Sequence, residues 1–381
     1  MEKKLLEEKD IKKLKKYGIY NIQPVDTLTT NKFYAKLSKS LEKIFNTYSM
    51  ESDNLFIKLS RINMFYSDFD EEHVKAKYVP DYKGIFIKPD IDIENLDSSV
   101  IHEAIHFLQS SFDEKDNLIS MGLIDGKKHI ALNEAATQLI ASTSSNEKPS
   151  SVTYFDLYFS SPSPNYYPLE TAILKQMLFF TGSFPLFHSG LLGNSIFKET
   201  FKTITSENVF NYISLELDNL MKFQDELANL YNKKLKPNIS NFRKKYIDKK
   251  IQIVKTNIQN TVLNLQDSIY QNCFNNLLNK IESLSDCEDI RAQISNFENI
   301  LIQKENDFSF NNYTAFAQSV IQEKEKQIIL YNAVLNDKFL IEESSYLPIT
   351  HTPIFFAKNI LNKFKLIFDI SFKNRIIGNE A

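Results

Sequence analysis

Cysteine is scarce: the chain of 381 residues has two, Cys273 and Cys287. Two are too few for a disulfide framework or a cysteine-type zinc site, and a reduced pair is expected. Glycine (8) and proline (11) are also few, which excludes a turn-dense β-sandwich and points to a chain dominated by helix. No stretch reaches about 18 uninterrupted apolar residues, so no transmembrane segment is expected. The nearest approach, 179–197, holds Pro185, His188 and three glycines and reads as buried. The N-terminal MEKKLLEEKDIKKLKKYG lacks the apolar core of a secretory signal, so the expected location is the cytoplasm, with signal-independent export or delivery as the other route. Excess charge of one sign is missing too. A formal net charge of −3 gives no global reason to expect a nucleic-acid partner.

What is present is ordinary for a globular protein: 43% hydrophobic and 24% charged residues. Residues 1–50 alternate charged and apolar groups at helical spacing and read as an N-terminal helical segment. Residues 51–204 read as an α+β domain. Its strand character lies in 54–66, in the alternation of Val74, Ala76 and Tyr78, and in Gly84-Ile85-Phe86-Ile87, three runs that suit one small sheet. Helices then follow from Ser98, capped by Asp97, from about His129, and from Pro168. The Ser-, Pro- and Tyr-rich stretch 142–165 reads as a long loop. Beyond 205 the pattern changes. Ile247, Ile251, Val254, Ile258, Val262, Leu265 and Ile269 recur at steps of three and four, which predicts a long helix with a coiled-coil-like seam. Residues 205–345 therefore read as a helical bundle or hairpin, and 346–381 as a C-terminal amphipathic helix. Residues 233–255 hold nine basic residues and one acid, Asp248, without the aromatic interleaving of a single-strand binder, and read as the solvated side of that long helix.

The chemistry concentrates in Val100-Ile101-His102-Glu103-Ala104-Ile105-His106-Phe107, which contains H-E-x-x-H. Residues four apart share one face of a helix, so both imidazoles reach one tetrahedral Zn²⁺, and Glu103 lies beside the same metal. Chance alone supplies this pattern roughly 0.01 times per chain of such composition. A carboxylate follows within a second helical run, Leu132-Asn133-Glu134-Ala135-Ala136-Thr137.

H-E-x-x-H at His102 to His106 followed by N-E-x-x-T at Asn133 to Thr137 resembles the gluzincin, or thermolysin-like, superfamily of zinc metallopeptidases. The match spans about 55 residues. It implies a zincin-like catalytic domain, in which a small sheet supports an active-site helix and a glutamate helix, here with the long helices appended. It implies Glu134 as third zinc ligand, 28 residues after His106; apart from the resemblance, Glu170, three residues beyond Tyr167, is the competing carboxylate. It also implies that the strand at 84–87 is the edge on which an extended substrate pairs. One departure is plain: thermolysin-like enzymes carry an aspartate four residues after the third ligand, orienting a zinc-bound histidine, and here that residue is Gln138.

The implied activity is hydrolysis of a protein or peptide substrate, with one Zn²⁺ per chain, water activated by Glu103, and an oxyanion donor among Tyr167, Tyr166 and His188. Tyr167 is the candidate carried forward as catalytic. Two other readings stand beside it. One is a regulatory protease that cuts a single repressor- or immunity-type partner. The other is a non-catalytic, zinc-stabilised interaction protein whose helical half binds a partner.

Overall fold

A computed structural model of the chain describes residues 6–48, 50, 54–72, 74–115, 117–145, 147–236 and 239–344. The chain divides into two compact units, Met1–Ile321 and Gln322–Ala381. The C-terminal amphipathic helix expected over 346–381 lies outside the described residues. The described residues are mostly helical, with small sheets.

The N-terminal segment is not continuous helix. α1 (Glu8–Lys16) stops at Gly18, whose φ of +72° is left-handed, and β1 (Ile19–Pro24) follows. α2 (Thr27–Thr47) begins at Asp26, whose side chain accepts from Thr29 N at 2.9 Å. Its buried stripe includes Phe33, Tyr34, Leu37 and Leu41. The apolar run 54–66 also divides. Leu55 and Leu59, one turn apart, bury the short helix α3 (Leu55–Leu59), and β2 (Asn63–Phe69) comes after it. β3 (Ala76–Val79) and β4 (Gly84–Ile87) complete a four-stranded sheet in the order β1-β2-β4-β3. β2 and β4 run parallel, and the other pairs are antiparallel. β4 is therefore an inner strand, buried at every residue, and the edges are β1 and β3. This corrects the expectation that 84–87 forms the edge: a wholly apolar run is the signature of a strand covered on both sides.

α4 (Ser98–Leu108) carries H-E-x-x-H and is capped by Asp97, whose carboxylate accepts from Ser99 N at 2.9 Å. The hairpin of β5 (Ser110–Phe112) and β6 (Leu118–Met121) leads to α5 (Ile130–Ser144). The expected loop at 142–165 instead holds a hairpin, β7 (Ser150–Tyr154) and β8 (Leu157–Ser161). Its two turn residues, Phe155 and Asp156, both have positive φ, at 53° and 56°, as a tight primed turn requires. Leu157, Phe159 and Ser161 alternate inward. The turn escaped detection because Phe-Asp replaces the usual Asn-Gly pair.

α6 (Pro168–Thr181), α7 (Phe184–Leu192) and α8 (Ile196–Ile204) precede the helical hairpin of α9 (Glu207–Leu235) and α10 (Asn241–Asn279). All seven seam residues from Ile247 to Ile269 are buried. They share one core with Leu217, Leu220, Leu227 and Leu230 of α9 and with α5 and α6. α11 (Leu284–Glu298), the short β9 (Gln303–Lys304), which extends the β7–β8 sheet, and α12 (Ser309–Ser344) follow. A second core joins α2, the sheet and the apolar sides of α4. α5 contributes to both, with Ala135 and Ala136 in the first and Ile140 and Ala141 in the second. Its alanines permit close approach by neighbours, and it is buried on nearly every side. No helix of the described residues is long and apolar enough to cross a membrane.

Candidate metal centre

α4 and α5 pack against each other and present their polar positions to one point. The ligand atoms of His102, His106 and Glu134 all lie within 4.8 Å of one another. His102 Nε2 is 2.9 Å from His106 Nε2 and 3.0 Å from Glu134 Oε2, and His106 Nε2 is 3.4 Å from Glu134 Oε1. Both histidines are 5% exposed, so solvent does little to satisfy these atoms.

The tautomer of His102 follows from its other nitrogen. Nδ1 is 2.9 Å from Gln138 Oε1, which only accepts, so Nδ1 carries the proton and Nε2 turns a lone pair toward the cluster. The Gln138 amide is held in turn, donating to Ser142 Oγ at 3.2 Å and Ser163 Oγ at 3.0 Å. An imidazole lone pair, a second imidazole and a carboxylate thus converge in a buried place. Such a donor set is satisfied by a cation, and two nitrogens with one carboxylate oxygen fit a zinc ion with a position to spare. The triad can hold a metal ion. Burial works to raise the pKa of Glu134, but the His106 and His102 imidazoles outweigh it and hold the carboxyl well below its usual range.

Glu103 points from the next position of α4 toward the sheet edge. Its Oε2 accepts the Tyr78 N–H of β3 at 2.7 Å. Burial pushes its pKa up to about 7; His102 and the Tyr78 amide pull it down, and the Glu134 charge adds to the rise. Tyr167 closes the opposite side. It caps α6 in a left-handed conformation, φ 50°, and its ring stacks on that of His102 with centroids 5.8 Å apart. Burial first, then the neighbouring Glu134 and Glu103 carboxylates, keeps the Tyr167 hydroxyl protonated well above its ordinary range.

The other candidates lie elsewhere. Tyr166 sits under the Lys75 ammonium, 5.4 Å from its ring centroid, at the start of the edge strand. His188 Nδ1 faces Asn194 Nδ2 at 2.6 Å. Glu170, the alternative third ligand, stands outside the triad that could hold a metal ion. It is fully buried in the α6 interior, neither carboxylate oxygen has a well-formed hydrogen bond, and burial raises its pKa to about 7.

Asn133 and Thr137 of the motif, and Gln109, which no motif marked, support the centre. Asn133 Oδ1 accepts from Leu123 N at 2.9 Å, and Gln109 Nε2 donates to Thr137 Oγ1 at 2.9 Å and to Gly190 O at 3.1 Å. The N-E-x-x-T run therefore binds its surroundings through Asn133 and Thr137 while presenting Glu134. Gly122, φ +56°, lies against this network: a Cβ there would fall 2.1 Å from Asn133 Oδ1 and 2.2 Å from Gln109 Oε1. At the start of α5, Asp218 of α9 accepts from His129 N at 3.1 Å and Ala131 N at 2.8 Å. His129 itself, unassigned by motif, is buried with its Nδ1 on Ser214 Oγ.

Comparison with known protein families, with curated proteins and with solved structures found no match.

Proposed function

We propose that this chain is a zinc-dependent metallopeptidase of gluzincin type that hydrolyses peptide bonds in a protein or peptide substrate. The observation that carries the proposal is the convergence of His102, His106 and Glu134 with a fourth side chain, Glu103, half-buried beside them and outside the ligand triad. Zinc in such a site acidifies water and polarises a carbonyl group. Glu103 accepts the proton of the attacking water as its oxygen bonds to the scissile carbon, then returns a proton to the amine as the C–N bond breaks. A carboxyl whose pKa lies near neutrality suits both halves of that exchange. The Tyr167 hydroxyl donates a hydrogen bond to the carbonyl oxygen as charge gathers there. The substrate-pairing role that the resemblance assigns to an edge strand passes to β3, whose Tyr78 N–H faces away from β4 toward Glu103. A purely structural zinc site gains nothing from Glu103, whose desolvation is unfavourable, and this favours catalysis over a metal-stabilised interaction module.

Metal content tests the site and peptide cleavage tests the chemistry. About one zinc per wild-type chain is expected, lost in His102→Ala and Glu134→Ala. Glu103→Gln should keep the metal while cleavage of a peptide library falls by roughly 10²–10⁴. A wild-type chain that stays metal-free after zinc supplementation would overturn the proposal, as would Glu103→Gln retaining full cleavage.

A further inference from the structure

Residues 233–255 concentrate nine basic residues against one acid in a chain whose formal net charge is −3. They span the end of α9 and the opening turns of α10, with Ile247, Ile251 and Val254 buried on the packed face. The opposite face is not simply solvated. Phe242 is 84% exposed, Tyr246 55% and Ile253 60%, and Leu235 at the end of α9 is 80% exposed. Phe242, Tyr246 and Ile253 stand at i, i+4 and i+11, so they form one stripe. The face is exposed, as the reading of a solvated helix side expects, and it carries this apolar stripe as well. Helical spacing puts Lys245 and Lys249 on one flank of it and Arg243 and Lys250 on the other, all exposed. Lys250 Nζ lies 5.3 Å from the Tyr246 ring centroid, and Asp248, the lone acid, is neutralised by Lys234 at 2.5 Å.

We propose that this hairpin end docks on an anionic lipid surface. Phe242, Tyr246 and Ile253 enter the boundary between headgroups and acyl chains, and the flanking lysines and Arg243 contact lipid phosphate and carboxylate groups. An apolar stripe bordered by cations on both sides is what an interfacial helix requires. Nucleic acid fits less well. Leu235 and Ile253 have no π face on which a base stacks, whereas both gain from transfer to hydrocarbon. The site is independent of the metal centre: Leu235 lies 17 residues beyond Asp218 on α9, roughly 26 Å along the helix.

Co-sedimentation of the full chain with vesicles tests this, using phosphatidylcholine alone and phosphatidylcholine mixed with phosphatidylserine. Binding is expected only to the mixed vesicles and should weaken as salt rises. The triple variant Lys245→Gln, Lys249→Gln, Lys250→Gln should bind on the order of a hundredfold more weakly. The double variant Phe242→Ser, Ile253→Ser should lose at least about tenfold, and should lose it at low salt as well. All these residues are exposed, and unchanged circular dichroism would establish that the fold persists. No binding to mixed vesicles, or equal binding to neutral ones, overturns the proposal. Tight binding to a single-stranded oligonucleotide that ignores the double variant would assign the patch to nucleic acid instead. A dimer in light scattering that the double variant dissolves would assign it to a second copy of the chain.

Discussion

An amide stands at Gln138, where the thermolysin-like pattern has a carboxylate, and the geometry shows what it does. Its carbonyl oxygen takes the His102 Nδ1 proton at 2.9 Å, and its NH₂ is spent on the hydroxyls of Ser142 and Ser163. The orienting task is kept, while the negative charge that strengthens the imidazole as a ligand is not. Two substitutions separate these effects. Gln138→Ala should leave His102 unoriented and weaken zinc binding about 10–100-fold, measured by chelator competition. Gln138→Glu should retain zinc at least as well as wild type, because the serine hydroxyls can turn to donate to the new oxygen. Weak binding in Gln138→Glu would mean that the neutral amide, rather than its acceptor oxygen, is what the site needs.

At the scale of elements, the candidate metal centre is as good as the placement of α5. His129 occupies the N-cap in a left-handed conformation, φ 64°, and its side chain caps nothing. The orphan amides go to Asp218 instead, 89 residues away from His129 on α9. Asp218→Ala should therefore destabilise the fold by about 1–2 kcal/mol in urea unfolding, and should weaken zinc binding by loosening the glutamate helix. A variant of unchanged stability would show that water caps α5 equally well. This contact also explains what was legible beforehand. H-E-x-x-H lies at helical spacing within α4, which announced its own cap at Asp97, so local periodicity sufficed for it, whereas Glu134 and the position of Gln138 rested on the resemblance. The Asp218 cap, the β7–β8 turn at Phe155-Asp156 and the inner place of β4 depend on partners distant in sequence or on unusual turn residues. Nothing nearby encodes them. The burial of Glu170 is equally hidden: it lies in the first turn of α6, where acids are ordinarily exposed, and only the packed helices bury it.

Across the whole molecule, that burial makes stability depend on pH. The raised pKa of Glu170, about 7 against the ordinary 4.5, means that the folded chain holds a proton which the unfolded chain gives up. Between those values the native state binds more protons than the unfolded state, so stability falls as pH rises. The contribution is fully present below about 4.5 and gone above about 7, a span worth about 3 kcal/mol. Glu103 is raised to about 7 as well, so the wild-type slope mixes the two. Glu170→Gln isolates one of them. It removes the buried charge and retains the shape, so its unfolding free energy should fall less steeply from pH 5 to pH 8 than that of wild type. Near pH 8 the variant should be the more stable protein, because wild type must then either ionise Glu170 in a buried place beside Asp225 or hold its proton against solution. Urea titrations at several pH values, with zinc removed from both proteins, decide the matter. Parallel curves would place the charged carboxylate in contact with donors that offset its burial, and the interior between α6 and α9 would then be more polar than its packing indicates.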